Sequence, residues 1–338
     1  MADQKSPKSP STSSATTDSN QHQTRVMLWC TPRSTSTILT KCLSFVPNTQ
    51  VYFEPYYFCY EALERLKSLG IDVDPSSIKS YDDVKTTDWW TTANLISGGD
   101  CGKEGTPDFN KMKYPCIKDL CENPSPDKDV IFVKDMAYCI DGRYNFLPEK
   151  SLGYRYAFLL RHPRKVFASW RRIMLDLDLE PEPEQVGSEP NKTRSETFHM
   201  VNDLSAIYAP PGHFFKETYD LWLHVKQNYD PNPVVLDSDD LLSDPITMLP
   251  RFCTAVGIPY TDDLLKWPGS PDTTSSWINA FTPPNDFEFI RMYCKNSFNT
   301  THFFPPGPLP QLEDLTEDIK ECVEAVMPYY QEMYDSRI

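Results

Sequence analysis

Short, fully apolar runs alternate along this chain with longer stretches whose apolar residues recur at three- and four-residue steps. Val26-Met27-Leu28-Trp29-Cys30 is the first such run, and an unbroken run of this length reads as a strand buried on both faces. The same reading predicts strands at residues 50–53, 129–134, 156–160 and 233–237. Helices are expected from Ile38 onward and over residues 60–69, 166–175, 214–229 and 312–334. In the last of these, Leu315, Ile319, Cys322, Val323, Val326 and Tyr330 form one core-facing stripe. Strands alternating with helices argue for an α/β three-layer sandwich around a mostly parallel sheet. Residues 1–23 hold almost nothing apolar and are expected to be a disordered tail, with one folded domain over 24–338. Residues 71–128 read as an irregular, partly helical insertion. The acidic, Pro-rich residues 176–190 read as a solvated linker or a mobile lid.

Between the first strand and its helix lies Thr31-Pro32-Arg33-Ser34-Thr35-Ser36-Thr37, in which five of seven residues carry a hydroxyl. A strand feeding such a loop into a helix start makes an anion cradle, because backbone N–H groups and the positive end of the helix dipole face the ligand. Ser and Thr also cap helices for the same hydrogen-bonding reason, so a plain N-cap is the bland alternative. The loop lacks the Gly-rich spacer and Lys-[Ser/Thr] ending of a Walker A motif. The glycine cluster Gly98-Gly99-Asp100-Cys101-Gly102-Lys103-Glu104 ends in Glu, and reads as an ordinary loop.

A second basic motif, Arg161-His162-Pro163-Arg164-Lys165, follows the fourth predicted strand, with Ser169 on the next helix. Open α/β sheets place ligands at the carboxyl ends of their strands, so Arg161 and Ser169 can converge on one anion. Two anion sites at two strand ends suit a nucleotide with phosphate on both sides of its ribose. A solvated charge run is the alternative for the basic cluster alone.

Net charge is −15 and the sequence pI about 4.8, which disfavours nucleic acid and polyanionic partners, since those lean on Lys and Arg. The ten cysteines include no C-x-x-C pair and no cluster with zinc spacing, which fits free thiols in a reducing compartment. Sequons at Asn191 and Asn299 would matter only in a secreted chain. With no leader pattern and no run of about eighteen apolar residues, the expected location is cytoplasmic and no membrane partner is expected.

Taken in order, these motifs resemble the sulfotransferases that use 3′-phosphoadenosine 5′-phosphosulfate (PAPS). The family's first signature, Pro-[Lys/Arg]-Ser-Gly-[Thr/Ser]-[Thr/Ser], is matched by Pro32-Arg33-Ser34-Thr35-Ser36-Thr37. Its second, Arg-Asn/His-Pro and a Ser on the next helix, is matched by Arg161-His162-Pro163 and Ser169. The stretch from Val235 to Pro245 and Val256-Gly257-Ile258-Pro259 is similar to the family's downstream strand, acidic turn and helix, so the resemblance spans about residues 25 to 265. It implies a P-loop NTPase-like fold. It also implies a 5′-phosphosulfate site at Arg33, Ser34, Thr35, Ser36 and Thr37, and a 3′-phosphate site at Arg161 and Ser169. Arg33 in place of Lys is similar to the Golgi-type and bacterial branches, as is the stretch ending at Glu54. Thr35 departs from the usual Gly. The soluble branch's adenine-closing Gly motif has no clear counterpart, Ser275-Ser276-Trp277 being a weak candidate, and that branch's C-terminal dimer motif is not visible.

Sulfuryl transfer needs little beyond positioning and charge stabilisation on the leaving phosphate, so no metal is implied. Glu54, flanked by Phe53, Pro55, Tyr56 and Tyr57, suits a general base for an acceptor hydroxyl or amine. His162 is its rival. Lys134 and Asp135 are a further pair, with Lys134 able to neutralise the sulfuryl group or leaving phosphate, or merely to form a structural ion pair. The aromatic fraction of 13%, with Tyr57 and Tyr138 near strand ends, fits a small, partly apolar acceptor or an ordinary core. Two rival functions stay open: a P-loop kinase or phosphotransferase, and a catalytically inert nucleotide-binding scaffold.

Overall fold

A computed structural model describes residues 23–68, 109–176, 193–204, 208, 212–280, 294 and 296–338. The expected tail, the lid-or-linker segment and the glycine cluster fall almost wholly outside the described residues. Five strands form one sheet: β1 (Thr24–Cys30), β2 (Thr49–Phe53), β3 (Val130–Met136), β4 (Arg155–Leu160) and β5 (Val234–Asp237). Every pairing is parallel, in the order β2-β3-β1-β4-β5, which is the P-loop NTPase-like arrangement. All seven residues of β3 are buried, as are Val26 to Cys30 of β1. Side chains alternate between faces along a strand, so burial at consecutive positions means both faces are covered.

Nine α-helices with both ends among the described residues follow in chain order. They are α1 (Ser36–Leu43), α2 (Pro55–Ser68), α3 (Tyr114–Glu122), α4 (Pro163–Asp176), the one-turn α5 (Arg194–Thr197), α6 (Phe215–Asn228), α7 (Ser238–Ser243), α8 (Pro245–Val256) and α9 (Glu317–Asp335). None is long and apolar enough to cross a membrane. Two helix starts differ from the apolar pattern by five residues. α2 begins at Pro55 rather than Tyr60, because proline suits the first helical position and a buried Asp135 carboxyl accepts the Tyr56 N–H at 2.5 Å. Neither cause is periodic. α9 begins at Glu317, since Leu312–Asp314 is a separate 3₁₀ turn and Thr316 is extended.

The chain winds to one side of β1 for β2 and β3, and to the other for β4 and β5. The carboxyl end of β1 is therefore the topological switch point, where open α/β sheets bind ligands. On the outer edge of β2, Ile278 adds a parallel bridge: the Phe53 N–H donates to the Ile278 carbonyl at 2.8 Å, and the Ile278 N–H to Val51 at 2.9 Å. Trp277 packs there on Phe53, ring centroids 5.0 Å apart. The weak adenine candidate thus lies three strands from Arg161, in a small core of Val51, Phe53, Trp277 and Phe298.

Candidate active site

The loop after β1 is shaped by its own carbonyls. The Ser34 hydroxyl donates to the Thr31 carbonyl at 2.7 Å, Arg161 Nη1 donates to the Arg33 carbonyl at 2.8 Å, and the Ser238 hydroxyl donates to the Ser34 carbonyl. With these acceptors turned into the protein, the ends of β1, β4 and β5 are tied together and the start of α1 faces the cleft. Ser34 is consequently fully buried, its hydroxyl spent on the turn rather than offered outward. Arg33 and Thr35 both hold left-handed backbone, φ 60° and 64°, a region L residues enter only under constraint. Thr35 is the position where the resembling family carries Gly. A β-branched residue is costly there, so Thr35→Gly should stabilise the fold by about 1 kcal/mol, less whatever is lost with the 3.1 Å Thr35–Ser238 hydroxyl contact. Urea denaturation of the two proteins reads this directly.

Arg33 Nε donates to the Ser169 hydroxyl at 3.2 Å, so the side chains of both anion motifs meet. Burial lowers the Arg161 pKa against the pull of Asp239 and Asp237, but arginine stays charged. Among the described residues the buried Nε of Arg161 has no hydrogen-bond partner. Lys165 is otherwise engaged, with Asp239 at 2.7 Å and the Gly307 carbonyl at 2.6 Å. His162 accepts the Arg164 N–H at 3.2 Å and faces the Tyr330 ring at 5.4 Å. Burial and then Arg164 lower its pKa. It orients its own loop and does not line the cleft.

The cleft is open to solvent and has a cavity volume of about 140 Å³. Its walls include Arg33, Thr35, Ser36, Thr37, Glu54, Lys134 and Arg161, so the sequence candidates from β1, β2, β3 and β4 come together. Ser34 and Ser169 are not in its walls. Glu54 follows β2 with φ 55°, and its carboxylate forms an ion pair with the Lys134 ammonium. Lys134 is almost fully buried, 3% exposed at its side chain, against 15% for Glu54. Burial works against the ammonium, but Cys30 and Glu54 beside it hold the pKa above its ordinary value.

Asp135 is not the partner of Lys134. Its side chain turns to the backbone, accepting the N–H groups of Tyr56 at 2.5 Å and Met136 at 2.7 Å. Burial and then the nearby Glu54 push its pKa up to about 8. This fixes the start of α2, and so the backbone of Glu54. Asparagine has one acceptor oxygen for two N–H donors, so Asp135→Asn should cost about 1–3 kcal/mol in chemical denaturation.

Tyr57, Met136, Tyr138, Trp170 and Tyr208 add an aromatic and thioether lining, and Cys294 and Ser297 complete the cleft. Tyr57 and Tyr138 are legible from their nearness to strand ends, and Trp170 from the motif that holds Ser169. Tyr208, Cys294 and Ser297 carry no local signal. Cys294 comes within 3.8 Å of the Thr37 hydroxyl, and burial pushes its thiol up to about 11. The segment bearing it is anchored by fully buried Lys41 of α1, whose ammonium donates to the carbonyls of Phe298 at 2.5 Å and Thr300 at 3.0 Å.

Comparisons with known proteins give the following. No curated protein sequence matches the chain. The chain is similar, at 13% identity and a TM-score of 0.40, to the sulfotransferase domain from the curacin biosynthetic pathway, over 90% of this chain and 97% of that one. Similarity to the sulfotransferase domain of the Synechococcus PCC 7002 olefin synthase is 16% at a TM-score of 0.41, over 90% and 95%. The mouse sulfotransferase SULT7A1 complexed with PAP gives 12% and 0.42, over 92% and 84%. Residues 227–337, the stretch that carries β5, α7, α8, α9 and the cleft residues Cys294 and Ser297, match the sulfotransferase domain family.

Proposed function

We propose that this protein transfers a sulfuryl group from PAPS to a hydroxyl or amine of a small-molecule acceptor. The observation that carries the reading is the joining, in one cleft at the switch point, of a cationic group to a carboxylate–ammonium pair. The cationic group is Arg33 and Arg161, with the Ser169 hydroxyl bonded to Arg33 from outside the cleft wall; the pair is Glu54 and Lys134. Arg33 and the N-terminal turn of α1 hold the 5′-phosphosulfate end, and Arg161 with Ser169 the 3′-phosphate. Glu54 takes the acceptor's proton as the acceptor atom bonds sulfur, and the sulfur–oxygen bond to the phosphate breaks. Lys134, beside Glu54, meets charge on the transferring group or the leaving phosphate. The aromatic wall takes the acceptor's apolar body. The arginine at position 33 supports a relation to the Golgi-type and bacterial branches.

A thermal-shift titration with adenosine 3′,5′-bisphosphate, beside ADP and Mg²⁺-ATP, tests the reading. A ligand at a hundred times its dissociation constant adds about 2.7 kcal/mol to stability. The expected result is stabilisation by the bisphosphate alone, followed by transfer in an acceptor screen with PAPS. Stabilisation by Mg²⁺-ATP instead would make the chain a phosphotransferase, and no shift at all would favour an inert scaffold.

A further inference from the structure

Phe304, Leu309 and Leu312 are three of the five large hydrophobic side chains exposed among the described residues, at 49%, 37% and 42%. They share one ten-residue stretch, Phe303-Phe304-Pro305-Pro306-Gly307-Pro308-Leu309-Pro310-Gln311-Leu312. Each proline fixes its own φ and drives the residue before it out of the helical region. Phe304, Pro305, Gly307 and Leu309 are therefore held extended along with the prolines. Residues 303–311 accordingly contain no helix, strand or turn. A chain so restricted favours polyproline II, in which three residues make one turn and residues three apart share an edge.

The edges differ in what they face. Phe303 is buried, packed edge-on against Trp267 at 5.0 Å, and Pro306 is half-buried. Pro305 and Pro308, three apart on another edge, are both exposed. Lys165 Nζ donates to the Gly307 carbonyl at 2.6 Å and Arg164 Nη1 to the Pro310 carbonyl at 3.3 Å, so helix α4 holds the ribbon in place. The Phe304 ring rests 4.0 Å from the His302 ring at the head of the ridge. Exposed Glu313 and Asp314 follow at its foot.

We propose that this ribbon docks a proline-reading domain of a partner protein. The partner's aromatic-lined groove takes the Pro305–Pro308 ridge, with Phe304 as an apolar anchor, and its basic rim meets Glu313 and Asp314. A net charge of −15 selects for such a basic rim over an acidic one. Prolines and the two anchors to α4 have already ordered the ribbon, which removes most of the entropy cost that a free proline-rich peptide meets on binding.

The test titrates purified, fluorescently labelled SH3, WW and EVH1 domains with the full chain. At least one domain with a basic groove rim should saturate. Its affinity should fall by about tenfold or more in Pro305→Ala/Pro308→Ala and in Phe304→Ala, and fall again in Glu313→Lys/Asp314→Lys. Phe304→Ala removes only an exposed ring, so it keeps the test decisive should the double proline variant lose its circular dichroism signature. Absence of saturation by every domain up to about 1 mM overturns the proposal, as does undiminished affinity in the Phe304 variant.

Discussion

Glu54→Gln should lower sulfuryl transfer by about two to four orders of magnitude while the bisphosphate still binds. The substitution keeps the size of the side chain and an oxygen for the Lys134 ammonium, but removes the proposed acceptor of the proton. Glu54 is 15% exposed at its side chain and lines the cleft, so it can reach an acceptor. The split between turnover and nucleotide binding is what tells an enzyme from an inert scaffold. The measurement pairs initial rates, on the best acceptor from a screen, with the bisphosphate thermal shift for both proteins. An unchanged rate would remove Glu54 as base and turn attention to Asp135 or His162. Asp135 would first have to release the two N–H groups it holds, and His162 would have to act from outside the cleft wall.

Arg161→Ala should weaken the bisphosphate by about 10- to 150-fold, the range expected for losing charge-assisted hydrogen bonds of about 1.5–3 kcal/mol. Two roles are lost together. The buried Nε, without a partner among the described residues, is the donor proposed for the 3′-phosphate. The Nη1 bond to the Arg33 carbonyl at 2.8 Å shapes the loop proposed to hold the other end of the nucleotide. Arg161→Lys should fall between the two, since a lysine keeps the charge but not the fork. Calorimetric titration with adenosine 3′,5′-bisphosphate gives the three affinities. Equal affinity in wild type and Arg161→Ala would remove the 3′-phosphate assignment and leave Arg161 a loop-shaping residue.

The strands were legible because a parallel sheet buried on both faces needs unbroken apolar runs. Residues 26–30 and 130–133 supply them without ambiguity. The loop between β1 and α1 was legible because an apolar run gives way there to a crowd of hydroxyls before the next apolar run. What escaped had long-range causes. The start of α2 depends on Asp135, 79 residues beyond the Tyr56 N–H it accepts. Cys294 reaches Thr37 across 257 positions, and Lys41 reaches Phe298 across the same separation. Pairing Lys134 with Asp135 followed from adjacency in sequence. Neighbours in a strand point to opposite faces, however, and Lys134 meets Glu54 from the next strand instead.

The bridge made by Ile278 along β2 bears on colloidal behaviour. An uncovered outer strand is a row of free donors and acceptors, and hence a template for joining one sheet to the sheet of another molecule. Here the Phe53 N–H and the Val51 carbonyl are taken by Ile278, and Trp277 closes over Phe53. The same cover ends where Glu54 begins. The chain can thus keep the Glu54 carboxylate at the rim of its sheet without leaving that rim open to fibre growth.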